Sequence, residues 1–186
     1  MKLTCDSEIE SQVLQFGANM RSARQGAGLS QVDLALAADL DRAAISFLER
    51  AARAPNLPTL VRVAHATGVA PAFLLRGVGY PDRASERQPS AGSADTGVAD
   101  PAGAAPAASA GANTPDAGAV ATFGRNLRSI RLGAKLSQES LAFSASLDRA
   151  AVSVLERGQR APNLRTILKL ARALEVSPEA LLGGID

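Results

Sequence analysis

Two short runs in this chain carry side chains suited to recognising another molecule. Arg42-Ala43-Ala44 is followed by Ser46 and Phe47, and Arg149-Ala150-Ala151 is followed by Ser153 and Val154. A guanidinium presents a planar fork of donors, a serine hydroxyl both donates and accepts, and consecutive alanines offer only methyl groups for close approach. That is chemistry of recognition rather than of bond breaking. The parts of a catalytic site are missing: no Gly-rich phosphate loop, zinc-ligand spacing or nucleophile-and-base pair is visible. His65, the single histidine, corresponds to Arg172 beside the other run and reads as a solvated helix residue. The single cysteine, Cys5, has no ligand partners nearby. No enzyme, metal or cofactor is expected.

Both runs lie inside a duplicated stretch. Phe16 to Gly77 matches Phe123 to Gly184 without gaps, with roughly 36 of about 62 positions identical. Each copy parses into five short helices. Ser7 with Glu10 reads as a capping box opening the first helix, where Ile9, Val13, Phe16 and Met20 share a core face. The matching helix of the second copy begins near Val120 and carries Phe123, Leu127 and Ile130. Ser30 and Ser137 are expected to cap a second helix, the first aided by Asp33, with Leu34 and Ala37, or Leu141 and Ser144, on its inner face. After a tight turn, Asp41 and Asp148 cap a third helix that runs to Arg50 or Arg157 and buries Ile45 and Leu48, or Val152 and Leu155. Asn56 and Asn163 cap a fourth, lined by Leu60, Val63 and Ala64, or by Ile167, Leu170 and Ala171. Pro71 and Pro178 open a final helical turn, where proline loses no needed hydrogen bond.

This pattern closely resembles the helix-turn-helix of the lambda repressor and Cro (XRE-like) family: the Ser-Gln start, the Leu-Ala pair, the apolar turn residue and the Ile-Ser…Glu-Arg-Gly run. The resemblance covers about two-thirds of the chain and implies an all-α architecture of two lambda-repressor-like five-helix DNA-binding domains. It implies that the third helix of each copy enters the major groove with its N-terminal residues toward base edges. Arg42 and Arg149 then donate to guanine O6 and N7, the methyls of Ala43, Ala44, Ala150 and Ala151 pack on the groove, and Ser46 and Ser153 bond a base or phosphate. Phe47 and Val154 differ, so the half-sites are expected to be similar but not identical. Gln31 and Gln138 match a position that contacts phosphate and braces the recognition helix, while Arg53, Asn56, Arg160 and Asn163 match a loop that touches the DNA backbone. Arg24 with Glu49, and Arg131 with Glu156, match a family ion pair with a structural role. Two departures stand out. Asp39 and Ser146 occupy a turn position usually held by Gly, and Ala51 replaces the helix-ending glycine kept as Gly158, which predicts a less stable first copy.

Composition and charge agree with this partner. Net charge is only +2, yet about +5 falls in the second copy and +3 in the first, against about −3 between them and −2 at the start. The 46% hydrophobic fraction is inflated by alanine and only 3% is aromatic, so large aromatic pockets are not expected. One cysteine, no membrane-length apolar run and no apolar signal segment in the opening residues together make a reducing cytoplasm the expected compartment. The domains are expected at 7–78 and 120–186, with 79–119 a disordered linker rich in Ala, Pro and Gly. About 45 flexible residues span on average ~37 Å, comparable with the ~34 Å between half-sites one DNA turn apart. One chain can thus imitate a dimer on a bipartite operator. The same flexibility also permits direct repeats or two independent modules. The expected function is a sequence-specific transcriptional regulator acting on double-stranded DNA, with repression the simplest output. An antitoxin-like partner that grips another protein is the rival, and homodimer formation stays open.

Overall fold

A computed structural model describes residues 3–78 and 115–185. Each copy folds into five helices: α1 (Leu3–Gly26), α2 (Gln31–Ala37), α3 (Arg42–Glu49), α4 (Leu57–Thr67) and α5 (Pro71–Leu74), then α6 (Pro115–Gly133), α7 (Gln138–Ser144), α8 (Arg149–Glu156), α9 (Leu164–Ala173) and α10 (Pro178–Leu181). No strand forms among the described residues. The linker expectation falls largely on residues outside the description. Its last part does not, because α6 begins at Pro115, ahead of the expected start near Val120. Likewise α1 begins at Leu3, which places Ser7 inside the helix instead of at its cap. Tyr80, the lone tyrosine, which its position predicts to pack on the last helix of the first copy, lies outside the described residues.

The caps follow the side chains able to make them. Ser30 Oγ accepts from the Asp33 amide while Asp33 returns a bond to the Ser30 amide, and Ser137 Oγ accepts from Ser140. Asn56 and Asn163 accept from the Thr59 and Thr166 amides, each at 2.8 Å. Asp41 and Asp148 hold the extended backbone of an N-cap but make no side-chain capping bond. Their exposed carboxylates instead complement the positive end of the helix dipole. Ile45, Leu48, Val152 and Leu155 are buried as the spacing requires. On the second helix the buried set is Leu34, Ala35 and Ala38, with Leu141, Ala142 and Ala145, while Ala37 and Ser144 are exposed. Positions i, i+1 and i+4 form the inner stripe there, and i+3 has rotated out of it.

Helix α3 lies against α1 at van der Waals limits. A Cβ at Gly17 would sit 2.8 Å from Glu49 O, and one at Gly124 would sit 2.6 Å from Leu155 O. Only glycine permits that backbone approach.

Left-handed backbone occurs at Asp39, Ala51, Lys135, Ser146 and Glu175 among non-glycine residues. The glycine that Ala51 lacks is matched by Lys135 and Glu175 in the second copy, which stand where the first has Gly28 and Gly68. The unfavourable positions are therefore shared, and the first copy is not singled out. Ala51→Gly is expected to raise thermal stability by about 1 kcal/mol through relief of the φ +56 strain. Gly158→Ala should cost more than that, because its new Cβ would also meet Ala121 Cα at 2.9 Å. Denaturant melts of the two variants check the pair, and equal or reversed magnitudes would refute it.

The two modules pack together. α1 contacts α9, α4 contacts α6 and α5 contacts α10, so these helix pairings across the seam are matched by their duplicates. At the centre, Asn56 and Asn163 form an antiparallel backbone bridge. The Leu57 amide donates to Pro162 O at 2.9 Å and the Leu164 amide donates to Pro55 O at 2.8 Å. These are first-residue amides of α4 and α9, which have no acceptor inside their own helices. Both leucines are fully buried, and an unpaired buried amide costs about 1–3 kcal/mol. The reciprocal pattern is that of an isologous, two-fold interface, here within one chain.

Candidate nucleic-acid interface

The third helix of each module presents one face to the core and the other to solvent. On α3, Ile45 and Leu48 point inward, which leaves Arg42, Ala43 and Phe47 exposed and Ala44 and Ser46 half-buried. On α8, Arg149 and Ala150 are exposed, while Ala151, Ser153 and Val154 are half-buried. The anticipated reading residues therefore share one outward face in both modules. Phe47 is 46% exposed, and Arg50 Cζ lies 5.5 Å from its ring centroid. Val154 offers no such ring. The outward faces differ at this position by an aromatic–guanidinium pair.

The helix is held from behind by a buried cation. Arg24 Nε donates to Glu49 Oε1 at 2.5 Å and its Nη1 to Leu29 O at 2.7 Å. Arg131 repeats this with Glu156 at 2.5 Å and Leu136 O at 2.7 Å, and its Nη2 donates to Glu156 Oε2 at 3.1 Å where Arg24 Nη2 donates to Glu49 Oε2 at 3.4 Å. Gln31 Nε2 donates to Glu49 Oε2, and Gln138 Nε2 to Glu156 Oε2, both at 2.8 Å. Each glutamine thus ties the start of the second helix to the end of the third. Burial pushes the Glu156 carboxyl up, but hydrogen bonds from Arg131 and Gln138, with the charges of Arg131 and Arg128, outweigh it and leave it below its ordinary value. The Glu156 hydrogen bond correspondingly raises Arg131 despite its desolvation.

Arg53 and Arg160 are exposed in the loop after the third helix, and Asn56 and Asn163 are exposed at its end. The asparagine oxygens are engaged in capping, while their backbones meet at the seam. Those loops are thus where the two modules join as well as where cations gather. Several supporting residues are not evident from residue chemistry. Asn19 Nδ2 donates to Leu74 O and Arg76 O, and Asn126 Nδ2 to Leu181 O and Gly183 O, tying the first helix to the last. Arg50 and Arg157 fold back onto Ser46 O and Ser153 O. Gly17 and Gly124 admit the third helix. The signal that marks all six is their identity in both copies. Among the described residues no group of three or more His, Cys, Asp or Glu is placed to hold a metal. No described helix is long and apolar enough to cross a membrane.

A helix-turn-helix family model matches residues 20–74 and again 127–181. The control protein C.BamHI of Bacillus amyloliquefaciens is 46% identical over 61 residues, covering 32% of this chain and 75% of that protein. The uncharacterized HTH-type transcriptional regulator YqaE of Bacillus subtilis (strain 168) is 34% identical over 62 residues, covering 33% of this chain and 53% of YqaE. The crystal structure of the restriction-modification controller protein C.AhdI from Aeromonas hydrophila aligns at 50% identity over 33% of this chain and 94% of its own, with a TM-score of 0.33. With the family model matched twice over more than half its length, the chain belongs to the helix-turn-helix family and is a DNA-binding transcriptional regulator.

Proposed function

We propose that one chain, closed on itself, reads a single operator made of two related, inverted half-sites. The observation that carries this is the reciprocal seam, in which Leu57 bonds Pro162 and Leu164 bonds Pro55. A two-fold relation turns the two recognition helices in opposite directions, as an inverted repeat requires. The chain between the modules, 79–114, then serves to keep them at high effective concentration rather than to set their spacing. Arg42 and Arg149 read guanine in the two half-sites, and Ala43, Ala44, Ser46, Ala150, Ala151 and Ser153 complete the contact. Phe47 against Val154 makes the half-sites unequal. Gln31, Arg53, Asn56, Gln138, Arg160 and Asn163 hold the phosphates on either side.

The surface that would pair two separate chains is used inside one chain, so the regulator binds as a monomer. Occlusion of a promoter is the mechanism such a reader supports most directly, without catalysis, in the cytoplasm where its operator is accessible. One relative, the control protein C.BamHI, is named for control, which supports regulation as the output. Selection of binding sites from random DNA by the full chain is expected to return two similar, non-identical motifs in inverted orientation at one spacing. Direct repeats or variable spacing would overturn the closed arrangement. Absence of any enriched motif, with binding that only falls steeply with salt, would favour a protein partner instead. The equivalent outward residues Leu36 and Phe143, 78% and 87% exposed, are the feature that points that way.

A further inference from the structure

We propose that ion pairs on one side of the seam make the two modules of a chain pair with each other rather than with their own kind in a second copy of the chain. Arg165 Nη1 on α9 lies 2.6 Å from Glu10 Oε1 on α1, and Arg172 Nη1 lies 2.9 Å from Glu8 Oε2. These four charged residues do not recur at the duplicate positions. Pro58 and His65 stand in the first copy where the second has Arg165 and Arg172, and Pro115 and Ala117 stand in the second where the first has Glu8 and Glu10. The cations of these two pairs thus belong to one module and their anions to the other.

That distribution distinguishes the three pairings the fold allows. First with second retains both ion pairs. First with first sets Glu8 and Glu10 against Pro58 and His65, and second with second sets Arg165 and Arg172 against Pro115 and Ala117. Exchanging two closed chains into one of each like pairing loses all four ion pairs. Each pair is solvent-accessible and contributes little alone, but partner choice depends on the difference between pairings, in which the losses add. Unlike pairing between two chains would keep the same ion pairs, and there the tether favours closure within one chain. A closed chain then has polarity, since it always brings one copy of each helix to the operator. The inference rests on the seam and not on the DNA-binding reading.

Its test uses two full-length variants, E8K/E10K and R165E/R172E. Within either one the seam faces like charge, whereas mixing them restores opposite charge at both seams of a two-chain pair. Hydrogen exchange at the Leu57 and Leu164 amides reports closure, and sedimentation equilibrium reports chain association. Each variant alone is expected to exchange these amides about tenfold faster than the wild type. The equimolar mixture is expected to sediment as a one-to-one dimer, and the chain carrying all four changes to return to a protected monomer. Wild-type exchange rates in both variants, or a mixture that stays monomeric, would overturn the proposal.

Discussion

Glu156→Ala is expected to destabilise the second module by about 3–5 kcal/mol. The carboxylate is only 4% exposed and its partner Arg131 side chain 9%, so truncation leaves a buried guanidinium with Leu136 O as its main acceptor and strands the Gln138 amide. A module whose whole stability is typically about 5–15 kcal/mol should then melt far below the other, giving two unfolding transitions in a denaturant titration followed by circular dichroism. A loss under about 1 kcal/mol would show that the pair behaves like an exposed surface bridge. The charge has its own signature. Because the folded carboxyl titrates below its ordinary value, its contribution is complete above the unfolded glutamate value of about 4.3. It is lost as pH falls from there through the lower folded value. Glu156→Gln should therefore flatten the acid limb of the stability profile. An unchanged limb would place its origin elsewhere.

Arg149→Ala is expected to weaken operator binding by about 1–3 kcal/mol, roughly 5–150-fold, and to relax preference at one base pair of one half-site. Arg42→Ala should do the same in the other half-site, and the double variant should approach the sum because the two helices occupy separate sites. Arg160→Ala provides the contrast. A phosphate contact carries no base preference, so its loss should weaken binding evenly across sequences and reduce the salt slope by about 1. Competition binding against operators substituted one base at a time, repeated at several salt concentrations, separates the two kinds of loss. If Arg149→Ala leaves every base preference intact, the guanidinium belongs with the phosphate contacts and the reading role passes to other residues of α8.

Much of this molecule is determined locally. The 3.6-residue spacing of Val13, Phe16 and Met20 requires a helix with one apolar face, the serines and asparagines before the second and fourth helices carry the oxygen a cap needs, and the repeated stretch requires two modules of one design. The outward face of the third helix follows from Ile45 and Leu48 facing inward. The ion pair of Arg24 with Glu49 was legible only through resemblance, since its members lie on different helices. Local chemistry could not settle which of Leu34, Ala35, Ala37 and Ala38 are buried, because the direction of the inner stripe depends on where α4 and α3 lie. Gly17 looks like an unremarkable helix residue until the carbonyls of Leu48 and Glu49 arrive against it. The joining of the modules was decided by tertiary structure alone. Leu57 needs an acceptor that its own helix cannot supply, and Pro162 offers one only when folding brings together two loops far apart in the chain. Spacing along a chain specifies which groups lack partners, whereas the packing of whole helices selects the partners they find.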